Sequence, residues 1–296
     1  MARTTVGATL QRIRRQLHSG YRFETNYLSA TVTSGDTTLS LSISPTANLQ
    51  AGALVFLDQE ACRVTTVNAA SSTITVARGV FDSTAVSHTV GTEVVINPRF
   101  SPLDIIDAMY EEIASYGPQL YWVDDAEFTV AEAADSLQLS AAWLDAYGIV
   151  DVRRQWTDTG IDSWPRLQCR FQRSGPTATS GNSLLRFMET CFGGTIYVQA
   201  ARPFVLSTFT TATDLVADVK LPDSMLDVVA MGTKLRLLVD NENGRTARTA
   251  QDEPRRAEET PVGATVQPFQ FNNAMYRNRK QEEVNKLRAL WPVRIS

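Results

Sequence analysis

The run Ala53–Val80, ALVFLDQEACRVTTVNAASSTITVARGV, decides how the first third of this chain folds. It holds three short stretches rich in β-branched residues, separated by turn-rich stretches, and it is poor in helix formers. Thr, Val and Ile at alternate positions suit a pleated, half-buried surface, so the run reads as consecutive antiparallel strands. Immediately upstream, Tyr27–Ser44 (YLSATVTSGDTTLSLSIS) alternates apolar and small polar residues on both sides of Gly35-Asp36, which predicts a hairpin there. Residues 26–99 are therefore expected to form a small all-β domain.

Outward from this domain the texture changes. Residues 4–18 place Val6, Leu10, Ile13 and Leu17 on one stripe, with Arg12, Arg14 and Arg15 beside it. They predict an amphipathic helix within a 1–25 segment, stopped at Gly20, its arginines in water. Downstream, Phe100–Gly117 opens with Ser101 as a cap, Pro102 at the first helical position and Asp104 closing a capping box. Leu103, Ile106, Tyr110 and Ile113, widened by Ile105 and Met109, give that helix its expected core face. Alternation returns in several runs between Phe128 and Thr211, as in a sandwich or antiparallel sheet. Pro222-Asp223-Ser224 then starts a second core helix, with Gly232 at a close contact. These elements make an expected core domain over 100–240, α+β in class, its helices clasping a mostly antiparallel β core. The polar stretch Glu242–Gly263 predicts a linker over 241–264. The remaining segment, 265–296, reads as a helical arm. In it Tyr276, Lys280, Val284, Leu287 and Trp291 share one stripe, while Arg277, Arg279, Lys286 and Arg288 take the other faces.

The chemistry-bearing residues are sparse. The chain has 296 residues, 43% of them hydrophobic, and a formal charge of −4, which favours no nucleic acid overall. No apolar run reaches the roughly 18 residues of a membrane span and no apolar leader opens the chain, so an unprocessed cytosolic product is expected. Cys62, Cys169 and Cys191 share no metal-ligand spacing and read as small core or surface residues. Phosphate-loop, dinucleotide, zinc-protease and serine-nucleophile motifs are absent, and the histidines are His18 and His88 alone. Neither Glu111-Glu112 nor Asp124-Asp125 can flank one scissile bond, because adjacent helix side chains point about 100° apart. The expectation is a protein with no catalytic, cofactor or metal site, and His88 is read as a structural loop residue.

The segment Asp58–Pro98 resembles a β-module that recurs in structural proteins of tailed bacteriophages, with Arg78, Gly79, His88 and Gly91 at the matching positions. The order of elements as a whole resembles the head-to-tail adaptor, or connector, proteins of long-tailed phages. The helix Pro102–Tyr116, the strand GTIYVQAARPF (Gly194–Phe204), the helix with GTKLRLL (Gly232–Leu238) and the terminal segment Tyr276–Ser296 carry that similarity. The β-module between the first two helices departs from the family's minimal pattern. The resemblance implies a virion protein, made in the host cytoplasm, that forms a dodecameric ring at the head–tail junction. Such a ring would bind the portal protein above and a tail-side connector or tail-terminator protein below, and would pass double-stranded DNA without reading its sequence. It would contact no membrane and would dock in the portal through Tyr276, Arg277, Arg279, Lys280, Val284, Leu287, Arg288 and Trp291. Two alternatives stand beside it. One is another phage ring component, of tail completion or baseplate type. The other is a virion-associated carbohydrate-binding or hydrolytic protein, for which the module's Tyr27, Phe56 and Phe81, without any Trp, offer few stacking platforms.

Overall fold

The computed structural model describes residues 4–17, 24–45, 48–139, 143–158, 161–172, 183–191, 193–252 and 266–293. The fold is α+β, with mostly antiparallel strands and a helix near the C-terminus. The chain divides into two compact units: Met1–Ile113 with Leu206–Tyr276, and Ala114–Val205 with Arg277–Ser296. This division cuts across the expected 100–240 core domain.

The first unit is built on six strands, β1 (Glu24–Tyr27), β2 (Thr38–Ser40), β3 (Leu54–Leu57), β4 (Glu60–Asn68), β5 (Thr73–Ala77) and β6 (Glu93–Ile96). They form one antiparallel sheet in the order β1-β6-β3-β4-β5-β2. A bridge from Leu28 to Leu41 ties its two edges, so the sheet curls on itself. The interior holds Leu39, Val55, Leu57, Cys62, Val64, Ile74, Val76, Val94 and Ile96, one per alternate position, as a period of two requires. On the outer face Phe56, Ala61 and Val95 pack with Leu103. That second contact is why β3 and β6 read as continuous apolar runs rather than alternating ones.

The expected pairing about Gly35-Asp36 forms only over a short stretch of this sheet. Leu28 bridges Leu41, with the Ser29 amide donating to the Ser40 carbonyl at 2.9 Å and the Ser42 amide to the Tyr27 carbonyl at 2.8 Å, while β2 otherwise pairs with β5, β1 with β6, and Val32 bridges His88. The turn itself is real: the Asp36 carboxylate accepts from the Thr33 amide at 2.7 Å and its hydroxyl at 2.8 Å.

Three helices complete the unit. Helix α1 (Val6–Leu17) buries Val6, Leu10 and Ile13 and packs with α3 (Leu226–Asp252). Its Arg14 is buried too, donating to Glu93 at 2.9 Å, where water was expected. Helix α2 (Pro102–Ala114) starts as the capping box predicts: the Ser101 amide donates to Asp104 Oδ2 at 3.1 Å and the Asp104 amide to Ser101 Oγ at 3.0 Å. Its buried face is Ile105, Ile106, Met109, Glu112 and Ile113, while Tyr110, expected inside, is exposed with its ring edge on Phe209. A short 3-10 turn, Asp223–Met225, leads into α3. That helix continues through Asn241–Asp252, where the sequence suggested a linker. The rest of that linker and the Gly20 stop lie outside the described residues.

The second unit holds two three-stranded antiparallel sheets, β7 (Trp122–Val130), β14 (Gly194–Arg202) and β9 (Gly148–Arg154) in one, β12 (Cys169–Gln172), β13 (Leu184–Cys191) and β8 (Ala134–Gln138) in the other. β10 (Trp156–Asp158) and β11 (Ile161–Ser163) form a separate pair. Val130, Val152, Ile196 and Val198 from the first sheet share one core with Leu137, Phe171, Leu185 and Phe187 from the second. Helix α4 (Val266–Leu290) begins in the first unit and ends in the second.

Candidate functional site

The apolar stripe expected to serve as a docking face is largely engaged within the chain. Tyr276 donates its hydroxyl hydrogen bond to Glu112. Lys280 lies over the Tyr116 ring, 4.9 Å from its centroid. Val284 is 2% exposed, and Leu287 packs with Val293 on Tyr121, Val150 and Ala201. The Trp291 carbonyl accepts from the Tyr121 hydroxyl at 2.6 Å, leaving its side chain at the surface. Arg279 pairs with Glu283 and reaches Glu282 at 3.3 Å; Lys286 bonds Glu283 at 2.8 Å. Of the eight residues singled out for docking, Arg277, Arg288 and the Trp291 side chain are the exposed ones. The reason is energetic: an amphipathic helix gains more by laying its stripe on an available core than by holding it in water.

Two polar constellations that sequence spacing did not join come together in the first unit. One surrounds Glu112, buried on α2. Arg236 Nε donates to its Oε2 at 2.7 Å, and Glu111 lies 3.6 Å from the same guanidinium. Gly232 faces this carboxylate so closely that an added Cβ would stand 2.3 Å from Cδ and Oε1. The close contact expected at Gly232 is therefore with a charged group. Burial and then the Glu112 carboxylate push the Tyr276 hydroxyl above its ordinary pKa, so it stays protonated and donates. Leu235, Val239, Phe269 and Asn273 line the shallow depression in front of the cluster.

The other constellation lies in the β-module. Arg78 grips Glu60 through Nε at 2.7 Å and Nη2 at 2.5 Å, and also donates to the carbonyls of Thr33, Asp36 and Val86. His88 sets Nε2 3.0 Å from Glu60 and Nδ1 3.4 Å from Asp58. Burial disfavours the Glu60 carboxylate, yet the hydrogen bonds from Arg78, His88 and the Val86 amide prevail and hold its pKa down to about 2. Burial and then Glu60 push the Cys62 thiol up to about 12, which makes it inert at neutral pH. The arrangement locks the loop between β5 and β6 onto β4. The Glu60 side chain is fully buried, and both of its oxygens bond to donors within the module.

Arg78, Gly79, His88 and Gly91, the module's signature, therefore have distinct jobs. Arg78 and His88 neutralise Glu60, while Gly79 (φ +67°) and Gly91 (φ +85°) take left-handed turns that side chains resist. Glu60, missed in the sequence, had no local signal beyond its place in a strand.

Among the described residues no group of three or more His, Cys, Asp and Glu side chains gathers as metal ligands would, and no helix is long and apolar enough to cross a membrane. No protein-family model matches the chain, and no curated protein is detectably similar to it.

Proposed function

We propose that this chain is a virion structural protein, a ring-forming head-to-tail adaptor that joins the portal of a long-tailed bacteriophage to its tail and lines the DNA exit channel. The observation that carries the reading is the β-module. The residues through which it resembles phage modules are those that lock its loop and turn its backbone, and this coincidence of signature and structural role supports the reading. Its polar groups are spent on internal neutralisation, as suits a building block and not a reaction centre.

The acidic chain suits passage of DNA, because each lysine or arginine placed on phosphate adds salt-dependent affinity that would retard it. Portal contact falls to what the C-terminal helix leaves exposed: Arg277, Arg288, Leu290 and the Trp291 edge. Negative-stain imaging of the purified chain, alone and mixed with portal rings, tests the reading. Ring-shaped particles, or portals capped by extra density, are expected. Single copies in both preparations would overturn it.

A further inference from the structure

In the second unit, the outer face of the β12-β13-β8 sheet carries an arrangement that weakens the isolated chain. Arg170 and Arg186 are direct cross-strand partners, both exposed, on the face opposite the inward Leu185 and Phe187. Like charges placed opposite one another disfavour strand pairing. Among the described residues neither guanidinium has a salt-bridge partner, and the next cross-strand neighbour is Ser136. Met188, two residues along β13 on the same face, is 66% exposed.

The same unit carries the complementary pattern. Edge strand β7 presents Asp125 and Glu127, two residues apart and both exposed, without salt bridges among the described residues. Their Cα atoms are about 6.7 Å apart by strand geometry, while a cross-strand arginine pair stands about 5 Å apart, within reach of flexible guanidiniums. We propose that the Arg170–Arg186 face of one copy docks on the Asp125–Glu127 row of a second copy, head to tail. Guanidinium and carboxylate pair bidentately, and Met188 supplies an adaptable apolar contact beside them. Because the two surfaces differ, each docked copy keeps one free surface of each kind, and the chain of contacts ends only when a ring closes. Duplex DNA is the competing occupant, but two guanidiniums on a chain of formal charge −4 hold a phosphate backbone weakly.

The proposal deepens the ring reading and rests on it only for closure. Two charge-reversed chains test it: Arg170→Glu with Arg186→Glu, and Asp125→Arg with Glu127→Arg. Sedimentation at low salt should show the wild-type chain associating, and each reversed chain alone losing about tenfold or more in association constant. Mixed in equal amounts they should associate again, since every contact then joins opposite charges, which also demonstrates that both are folded. The neutral variant Arg170→Gln with Arg186→Gln should lose association yet melt no lower than wild type, its repulsion removed. Association that survives reversal, a mixture that stays dissociated, or a wild-type chain whose arginine pair retains a DNA duplex instead of a second copy would overturn the contact. Rings that survive reversal would sink this interface and leave the adaptor reading standing. Reversal-sensitive association without portal binding would do the opposite.

Discussion

Gly232 and Glu112 occupy one another's space, and the bond network depends on the missing side chain. An alanine at 232 gains about 1 kcal/mol of helix propensity. Its Cβ, however, must drive the Glu112 carboxylate from Arg236 and Tyr276, two partners that hold it in a buried position. Breaking a buried charged network costs more than the propensity returns, so Gly232→Ala should destabilise by about 1 to 3 kcal/mol in denaturant unfolding. His88 gives the second prediction at this scale. A ring with a carboxylate at each nitrogen satisfies both only when doubly protonated, and the hydrogen bond to Asp58, then that to Glu60, raises its pKa against the effect of burial. A group whose folded pKa lies above its unfolded value stabilises fully below the unfolded value, about 6.5 for histidine, and loses that contribution as pH rises through the folded value. Melting temperature should fall from slightly acid to alkaline pH, and His88→Gln should flatten that fall. Glu60, depressed to about 2 from 4.5, acts oppositely: its contribution is present above pH 4.5 and disappears as the pH drops toward 2.

At the scale of the element, α4 tests whether its stripe serves the chain or a partner. Val284→Ala removes a side chain that is 2% exposed and should cost about 1 to 3 kcal/mol, and truncation after Gly263 should lower the melting temperature further. Trp291→Ala should cost less than Val284→Ala, because the Tyr121 bond goes to the backbone carbonyl, which the substitution keeps. A truncated chain that melts like the full one would restore the free-arm expectation. Helices and strands differed in how far the sequence disclosed them. The start of α2 was legible because Ser101, Pro102 and Asp104 act within one turn. Glu112 sits on the same buried face, seven residues after Ile105, and a carboxylate there signals a buried partner. Its partners Arg236 and Tyr276 lie 124 and 164 positions away, beyond any local pattern. The pairing at Gly35-Asp36 is short for a related reason: alternation fixes which side of a strand is apolar but leaves its neighbour undetermined, and while Leu28 meets Leu41 across that turn, β2 takes β5.

For the molecule as a whole, the β-module proves less detachable than its boundaries suggest. Glu93 receives Arg14 and Gln11 of α1, Gln59 donates to the Phe209 carbonyl at 2.7 Å, and Phe56, Ala61 and Val95 cover Leu103. Replacing 27–98 with a short Gly-Ser loop should therefore lower the melting of the first unit, not merely trim its surface, as calorimetry would register. Exposing Leu103 and taking the buried Arg14 from Glu93 are the two physical causes.

The packing of α1 on α3 also sets a schedule for synthesis. The two helices are separated by roughly two hundred residues, so at about 5 to 20 residues per second the ribosome delivers α3 some ten to forty seconds after α1. During that interval the contiguous β-sheet of residues 24–96 can already close, while Val6, Leu10 and Ile13 wait without the surface that finally covers them. Until α3 is made, the nascent chain thus exposes an amphipathic stripe, the kind of transient apolar surface on which misassembly begins.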